Sequence, residues 1–213
     1  MRLTLLLILI CFIGFFFQVF FVEDIEGFYN NYGFSGSNLL QRPYVLITSI
    51  FIHADIVHLM SNMLILFFFG IALESEIREK MLLIFFLGAF AGDIASLFVY
   101  DFFTISVGAS AGIFALIGAG MLIKPFDFSF YPLIIPVPLA LLGIMYAVYN
   151  LYGFFAADPG SNISYIGHMG GLVVGLVFGF KRQGIGYGLK IILLMFVIML
   201  LIPVLWTIIR SVF

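Results

Sequence analysis

Charge is scarce in this chain. Nine Lys or Arg and eleven Asp or Glu among 213 residues make 9%, with a net charge of −2. Soluble domains carry about 25% charged residues, so a water-facing globular fold is excluded. There is no basic or acidic block, which removes nucleic acid as a partner. Cysteine is nearly absent. Cys11, the only one, lies in an apolar run, so there is no disulfide frame and no cysteine-based metal site, and it reads as a small lipid-facing or packed residue. Histidines number three. They form no His-Glu-x-x-His pair, and no carboxylate is suitably placed beside His58 or His168, so their spacing supports no metal. No cofactor is expected. An inverted internal repeat of the kind that marks many transporters is also missing.

Apolar residues, by contrast, make up 64% of the chain. Seven runs stand out at 3–22, 56–73, 81–100, 105–123, 131–152, 163–180 and 189–209, most of them reaching the ~17–25 residues that a helix needs to cross the hydrocarbon. The expected fold is an all-α membrane protein, one polytopic domain over residues 1–213 with the lipid bilayer as its surroundings and no room for a separate soluble domain. The first run is too long for a signal-peptide core and no small-x-small site follows, so it reads as a retained helix. With the N-terminus in the cytoplasm, the inner side holds Arg2, Arg78, Lys80, Lys124, Lys181, Arg182 and Lys190, and the outer side only Arg42 and Arg210. That bias sets the orientation. An odd number of spans then places the C-terminus outside.

Residues 23–42 mix Gly27, Gly33 and Gly36 with Phe28, Tyr29, Tyr32 and Phe34, which suits an external loop at headgroup level. The apolar stretch 43–51 is too short to span and reads as interfacial. Pro132, Pro136 and Pro138 predict an irregular inner start for the fifth span, which makes that span a candidate gate.

Polar residues inside such runs are expensive and point to function. Spans two, four and six run from outside to inside. His58 opens span two, and Asn62 shares its helix face four residues on. Ser110 lies five residues into span four and His168 five into span six, at about the same depth, roughly 8 Å below the outer edge. Gly108, Ala109, Ala111 and Gly112 leave little bulk around Ser110. Gly171, Gly175 and Gly179 give the His168 helix a smooth face for close packing. If the two faces meet, the imidazole reaches the hydroxyl as a general base. An amide and an imidazole, Asn62 and His58, are suitable donors for an oxyanion. His53 reads as an interfacial or structural histidine as readily as a catalytic one. Asp93, at a depth close to that of Ser110, reads either as a third member orienting His168 or as a structural hydrogen-bonding group, and the structural role is favoured.

His-x4-His-x3-Asn in span two, Gly-x-Ser at the start of span four and His-x2-Gly-x3-Gly in span six together resemble the rhomboid family of intramembrane serine proteases. The resemblance extends from the first span through the sixth. It implies a rhomboid-like six-helix transmembrane bundle over about residues 1–182, with a seventh transmembrane helix appended at about 188–210. It also implies a serine endopeptidase using a Ser110–His168 dyad, with His58, Asn62 and backbone at Ser110 on the oxyanion. Gly108 matches the glycine before the nucleophile and belongs with the oxyanion group. The implied substrates are single-pass transmembrane proteins cut near the outer face of a cell membrane; the alternative is a catalytically inactive relative that binds membrane clients. Departures are present. Ala111 replaces the usual glycine after the nucleophile. Phe114 stands where a tyrosine commonly stacks on the histidine, which keeps the ring but loses the hydroxyl. Tyr44-Val45 replaces a common Trp-Arg pair in the first loop. Glu74 fits an acidic position closing span two.

Overall fold

The structure, a computed structural model, describes residues 1–128, 137–156 and 163–212. Pro132 and Pro136, and with them the first residues of the expected fifth span, lie outside that set. The described residues form α1 (Arg2–Phe21), α2 (Ile25–Tyr32), α3 (Gly36–Gln41), α4 (Val45–Thr48), a 3-10 turn (Ser49–Phe51), α5 (Ile56–Ile77), α6 (Lys80–Ser96), α7 (Ser110–Ile123), α8 (Leu139–Ala156), α9 (Tyr165–Gln183) and α10 (Ile185–Val212). The all-α expectation holds. The single β feature among these residues is an isolated antiparallel bridge between Phe34 and Ser106.

Four of these helices are long and apolar enough to cross a membrane: Arg2–Phe21, Ile56–Ile77, Leu139–Ala156 and Ile185–Ile208. Three of the others, α6, α7 and α9, pack on one another at the centre of the bundle. α7 has 14 residues, and every one from Gly112 to Ile123 is buried. A helix that is apolar all round belongs inside a fold or a membrane, and this one is inside both. Its 14 residues span about 21 Å against about 30 Å of hydrocarbon, so one of its ends stops short of the membrane boundary. Around this centre, α1 turns a stripe of Thr4, Leu7, Cys11, Phe15 and Gln18 inward at helical spacing. It leaves Leu5, Leu6, Leu9 and Ile13 on the outside. Cys11 is thus a packed residue, fully buried.

Two polar devices fix α1. The Glu74 carboxylate accepts from the Leu3 and Thr4 N–H groups (3.1 and 2.9 Å) and from the Thr4 hydroxyl (2.7 Å). These are first-turn donors with no partner in their own helix, and a negative charge suits that end of the helix dipole. At the other end, buried Gln18 donates to the Tyr29 hydroxyl and to the His53 carbonyl, 3.0 Å each.

The structure differs from the sequence expectation in three places. Residues 23–42 are not a plain loop. Asp24 accepts from the Gly27 N–H and Ser35 from the Asn38 N–H, and these caps start α2 and α3. The fourth span does not begin at 105: residues 105–109 are apolar but not helical, and Ser110 is the first residue of α7 rather than the sixth of a span. Finally, the described start of α8 is tied down, with Leu139 N–H donating to the Asp127 carbonyl (2.9 Å) and Ala140 N–H to that of Pro125 (3.1 Å). The first residues after Pro138 are therefore pinned to the end of α7.

α5, α7 and α9 run parallel. At one end they finish in an ionic layer, where Lys124 Nζ meets the Ser75 hydroxyl (3.2 Å) and Asp127 (3.0 Å), and Arg182 meets Glu76 (2.8 Å). At the opposite end the same three helices begin, and there the singled-out polar residues gather.

Candidate active site

Each contributing helix starts in a way that its sequence dictates. Asp55 caps α5 by accepting from the His58 N–H at 2.8 Å, which places His58 in the first turn and Asn62 one turn deeper. Ahead of α7, Phe34 and Ser106 exchange backbone hydrogen bonds of 2.9 and 2.7 Å, and Gly108 N–H donates to the Ser49 carbonyl at 2.9 Å. Irregular backbone at membrane depth is tolerated where protein satisfies it, and here the α2–α4 segment does so. Gly108 has φ +121°, a conformation that glycine adopts without strain. A Cβ there would lie 2.8 Å from the His58 ring and 3.7 Å from Asn62 Nδ2. The Gly108 amide is committed to Ser49, and Gly108 supplies the bend and the close approach of His58 and Asn62.

Ser110 opens α7, and His168 is the fourth residue of α9. His168 Nε2 lies 2.8 Å from Ser110 Oγ, and both residues are partly exposed. The pair meets because α9 lies flush on α7. A Cβ at Gly171 would collide with the Ala111 carbonyl, and one at Gly175 with that of Ala115. The Phe114 ring stacks on the imidazole with centroids 4.3 Å apart and planes 8° from parallel, and Tyr146 of α8 meets Phe114 edge-on at 6.3 Å. Asn62 Nδ2 is buried with no hydrogen-bond partner among the described residues. The N–H groups of Ser110, Ala111 and Gly112 have no acceptor within α7, and the positive end of the helix dipole adds to them. The start of α7 thus carries free N–H donors, and the Gly108 bend just ahead of it holds the His58 ring and the Asn62 amide close by.

His53 is fully buried, with its ring edge-on to His58 at 5.1 Å. Burial, together with the neighbouring His58, pushes its pKa down to about 3, so it stays neutral across the physiological range. Its ring packs against that of His58. Asp93 makes no hydrogen bond to His168, and its Oδ2 is buried without a partner among the described residues. The place considered for it is taken by a residue that sequence reasoning passed over. Asn150 of α8, 1% exposed, has Oδ1 2.8 Å from His168 Nδ1, while its Nδ2 donates to the Tyr165 carbonyl at 2.9 Å. A signal was available. Gly143, Tyr146, Asn150 and Gly153 recur on one face of the fifth span, so the asparagine points where two glycines allow close packing.

These helices and this polar layer define a multi-pass α-helical membrane protein with a serine–histidine pair at the start of a short central helix. A family model for the Rhomboid domain matches residues 40–185. Among curated proteins, the chain is similar to RHOMBOID-like protein 12, mitochondrial, of Arabidopsis thaliana (30% identical, covering 70% of this chain and 49% of that protein). It is also similar to RHOMBOID-like protein 7 of the same plant (32%, covering 66% and 43%). A third relative is Inactive rhomboid-related protein 2 of Caenorhabditis elegans (32%, covering 66% and 41%). This chain belongs to the rhomboid family. It spans less than half the length of these curated relatives. The match ends at Ile185, where α10 begins.

Proposed function

We propose that this chain is an intramembrane serine endopeptidase that cuts single-pass transmembrane proteins near the outer face of a cell membrane. The observation that carries the reading is the 2.8 Å contact between His168 Nε2 and Ser110 Oγ at the start of a buried helix too short to reach both membrane boundaries. With the ionic layer of Lys124 and Arg182 on the cytoplasmic side, Ser110 lies roughly 9 Å below the outer boundary, within reach of water from outside. That orientation keeps the N-terminus in the cytoplasm and follows the bias of Lys and Arg.

In the reaction, Ser110 Oγ attacks the scissile carbonyl as His168 Nε2 takes its proton. The oxyanion forms against Asn62 Nδ2, the His58 ring and the N–H groups opening α7. The tetrahedral intermediate collapses, its C–N bond breaks, and His168 returns the proton to the leaving amine. Water, deprotonated by the same imidazole, then attacks the ester carbon; the C–Oγ bond breaks, His168 returns the proton to Ser110 Oγ, and the acyl group leaves as a carboxylic acid. Phe114 holds the ring plane throughout.

The glycine seam gives a first prediction. Gly171→Ala drives a methyl group into the Ala111 carbonyl and pushes α9 off α7. Displacing a catalytic group by about 1 Å costs on the order of 10²-fold in rate. Turnover is expected to fall by that order, with a lower melting temperature in detergent; an unchanged rate would show that the seam does not set the Ser110–His168 distance.

The family contains a member named inactive, so the competing reading is a protein that binds membrane clients without cutting them. Both are tested by reconstituting the protein in liposomes with single-span reporter helices whose outer third carries Gly, Pro and Ser. The proposal predicts fragments cut in that outer third, absent with Ser110→Ala. Reporters that bind wild type and Ser110→Ala alike and stay full length would establish the client-binding reading instead.

A further inference from the structure

The environment of Asn150 dictates a proton position. The Tyr165 carbonyl only accepts hydrogen bonds, so the Asn150 group facing it at 2.9 Å must be the NH2. This fixes the amide orientation without appeal to the histidine. The oxygen of the same amide then faces His168 Nδ1 at 2.8 Å. An amide oxygen only accepts, so Nδ1 must carry the proton. In a neutral imidazole the other nitrogen is then bare. That nitrogen, Nε2, is the one 2.8 Å from the Ser110 hydroxyl, which donates to it. A backbone carbonyl on α9 thus determines, through one side chain of α8, which imidazole nitrogen is free to accept a proton.

We infer that Asn150 is a positioning residue: locked by the Tyr165 carbonyl, its amide holds His168 in the tautomer whose Nε2 can take the Ser110 proton. The inference rests on the reading of Ser110 and His168 as nucleophile and base. The residue type fits the place. Asn150 is 1% exposed, and a carboxylate there would carry the cost of burying a charge while setting lone pairs against the Tyr165 carbonyl. A neutral amide donates on one side and accepts on the other, so both neighbours are satisfied. The packing of α8 supports the same register. Gly153 lets the Tyr165 ring approach, and Tyr146, one turn before Asn150, rests on the Phe114 ring that stacks on the imidazole.

The test reads the ring nitrogens directly. Protein carrying 15N-labelled histidine is recorded by NMR in lipid nanodiscs, with the His168 signals assigned by their loss in His168→Ala. The expected wild-type spectrum has His168 protonated at Nδ1 and bare at Nε2. In Asn150→Leu, of similar volume but with no acceptor, the Nε2–H form grows. The rate at which a fluorophosphonate labels Ser110 falls by about 10–100-fold, the loss of part of a general-base contribution. Asn150→Asp restores an acceptor and is expected to recover the Nδ1–H signal and part of the labelling rate. A wild-type His168 protonated at Nε2 would overturn the assignment without any variant being made. A Leu variant with wild-type ring signals and a wild-type labelling rate would overturn it as well. Because the nitrogen signals do not depend on turnover, a protein that shows the Nδ1–H form but never reacts with the probe contradicts the protease reading and leaves the hydrogen bond standing.

Discussion

Replacing His168 with alanine is expected to lower turnover by about 10³–10⁶-fold while the protein stays folded. The size follows from the geometry. Ser110 Oγ has one ring nitrogen at 2.8 Å, and a serine hydroxyl at its ordinary acidity is a weak nucleophile without a base. Ser110→Ala should cost a similar factor, and the double variant little more than either single one, since groups that act on one proton transfer are not additive. The half-buried imidazole is held by stacking on Phe114 and by Asn150. Its removal leaves a space open to the site rather than a sealed cavity, so the melting temperature should change modestly. The measurement is a set of reporter-cleavage rates for the four proteins in the same liposomes. Additive losses would mean that Ser110 and His168 do not act as a pair.

Asn62→Ala should remove one oxyanion donor and lower kcat by about 10²–10³-fold with KM little changed. The resting protein carries an unfavourable feature at this residue. Asn62 Nδ2 is buried with no partner among the described residues, and an unsatisfied buried donor costs about 1–3 kcal/mol. Removing the amide should therefore leave stability unchanged or raise it, as expected where a site is built for a state that forms only during reaction. Activity and stability moving in opposite directions is the diagnostic result. A variant that loses stability and retains its rate would place Asn62 among the structural residues. His58, held in the first turn by the Asp55 cap and against His53 by ring contact, is the neighbouring donor in the proposed reaction.

Much of this arrangement is legible in the sequence. Charged and polar residues are so few that Ser110, His168, His58 and Asn62 stood out against apolar sequence, and the glycines at 171, 175 and 179 indicated which helix faces meet. Hydropathy failed where it is blind to conformation. Ile105-Ser-Val107-Gly-Ala109 is as apolar as a span, yet it is a non-helical segment satisfied by Phe34 and Ser49, so α7 starts five residues later than hydropathy predicts. The α2 and α3 helices were hidden by glycines and asparagines that read as turns, although Asp24 and Ser35 stand in capping positions. Asn150 was missed because one amide among tyrosines and leucines looks like a simple helix bridge. In the fold its two ends are split between a carbonyl and the imidazole, a pairing that spacing along one helix does not reveal. Asp93 drew attention for the opposite reason. A carboxylate in a span is conspicuous, yet it makes no hydrogen bond to His168.

Proteolysis by this chain requires that Ser110 be an activated nucleophile. The most direct measurement is covalent labelling of the protein in nanodiscs by a fluorophosphonate, with the adduct mapped by mass spectrometry. The prediction is a single adduct on the peptide containing Ser110, absent in Ser110→Ala and strongly slowed in His168→Ala. No adduct on folded wild-type protein, or an adduct that persists in Ser110→Ala, would contradict it.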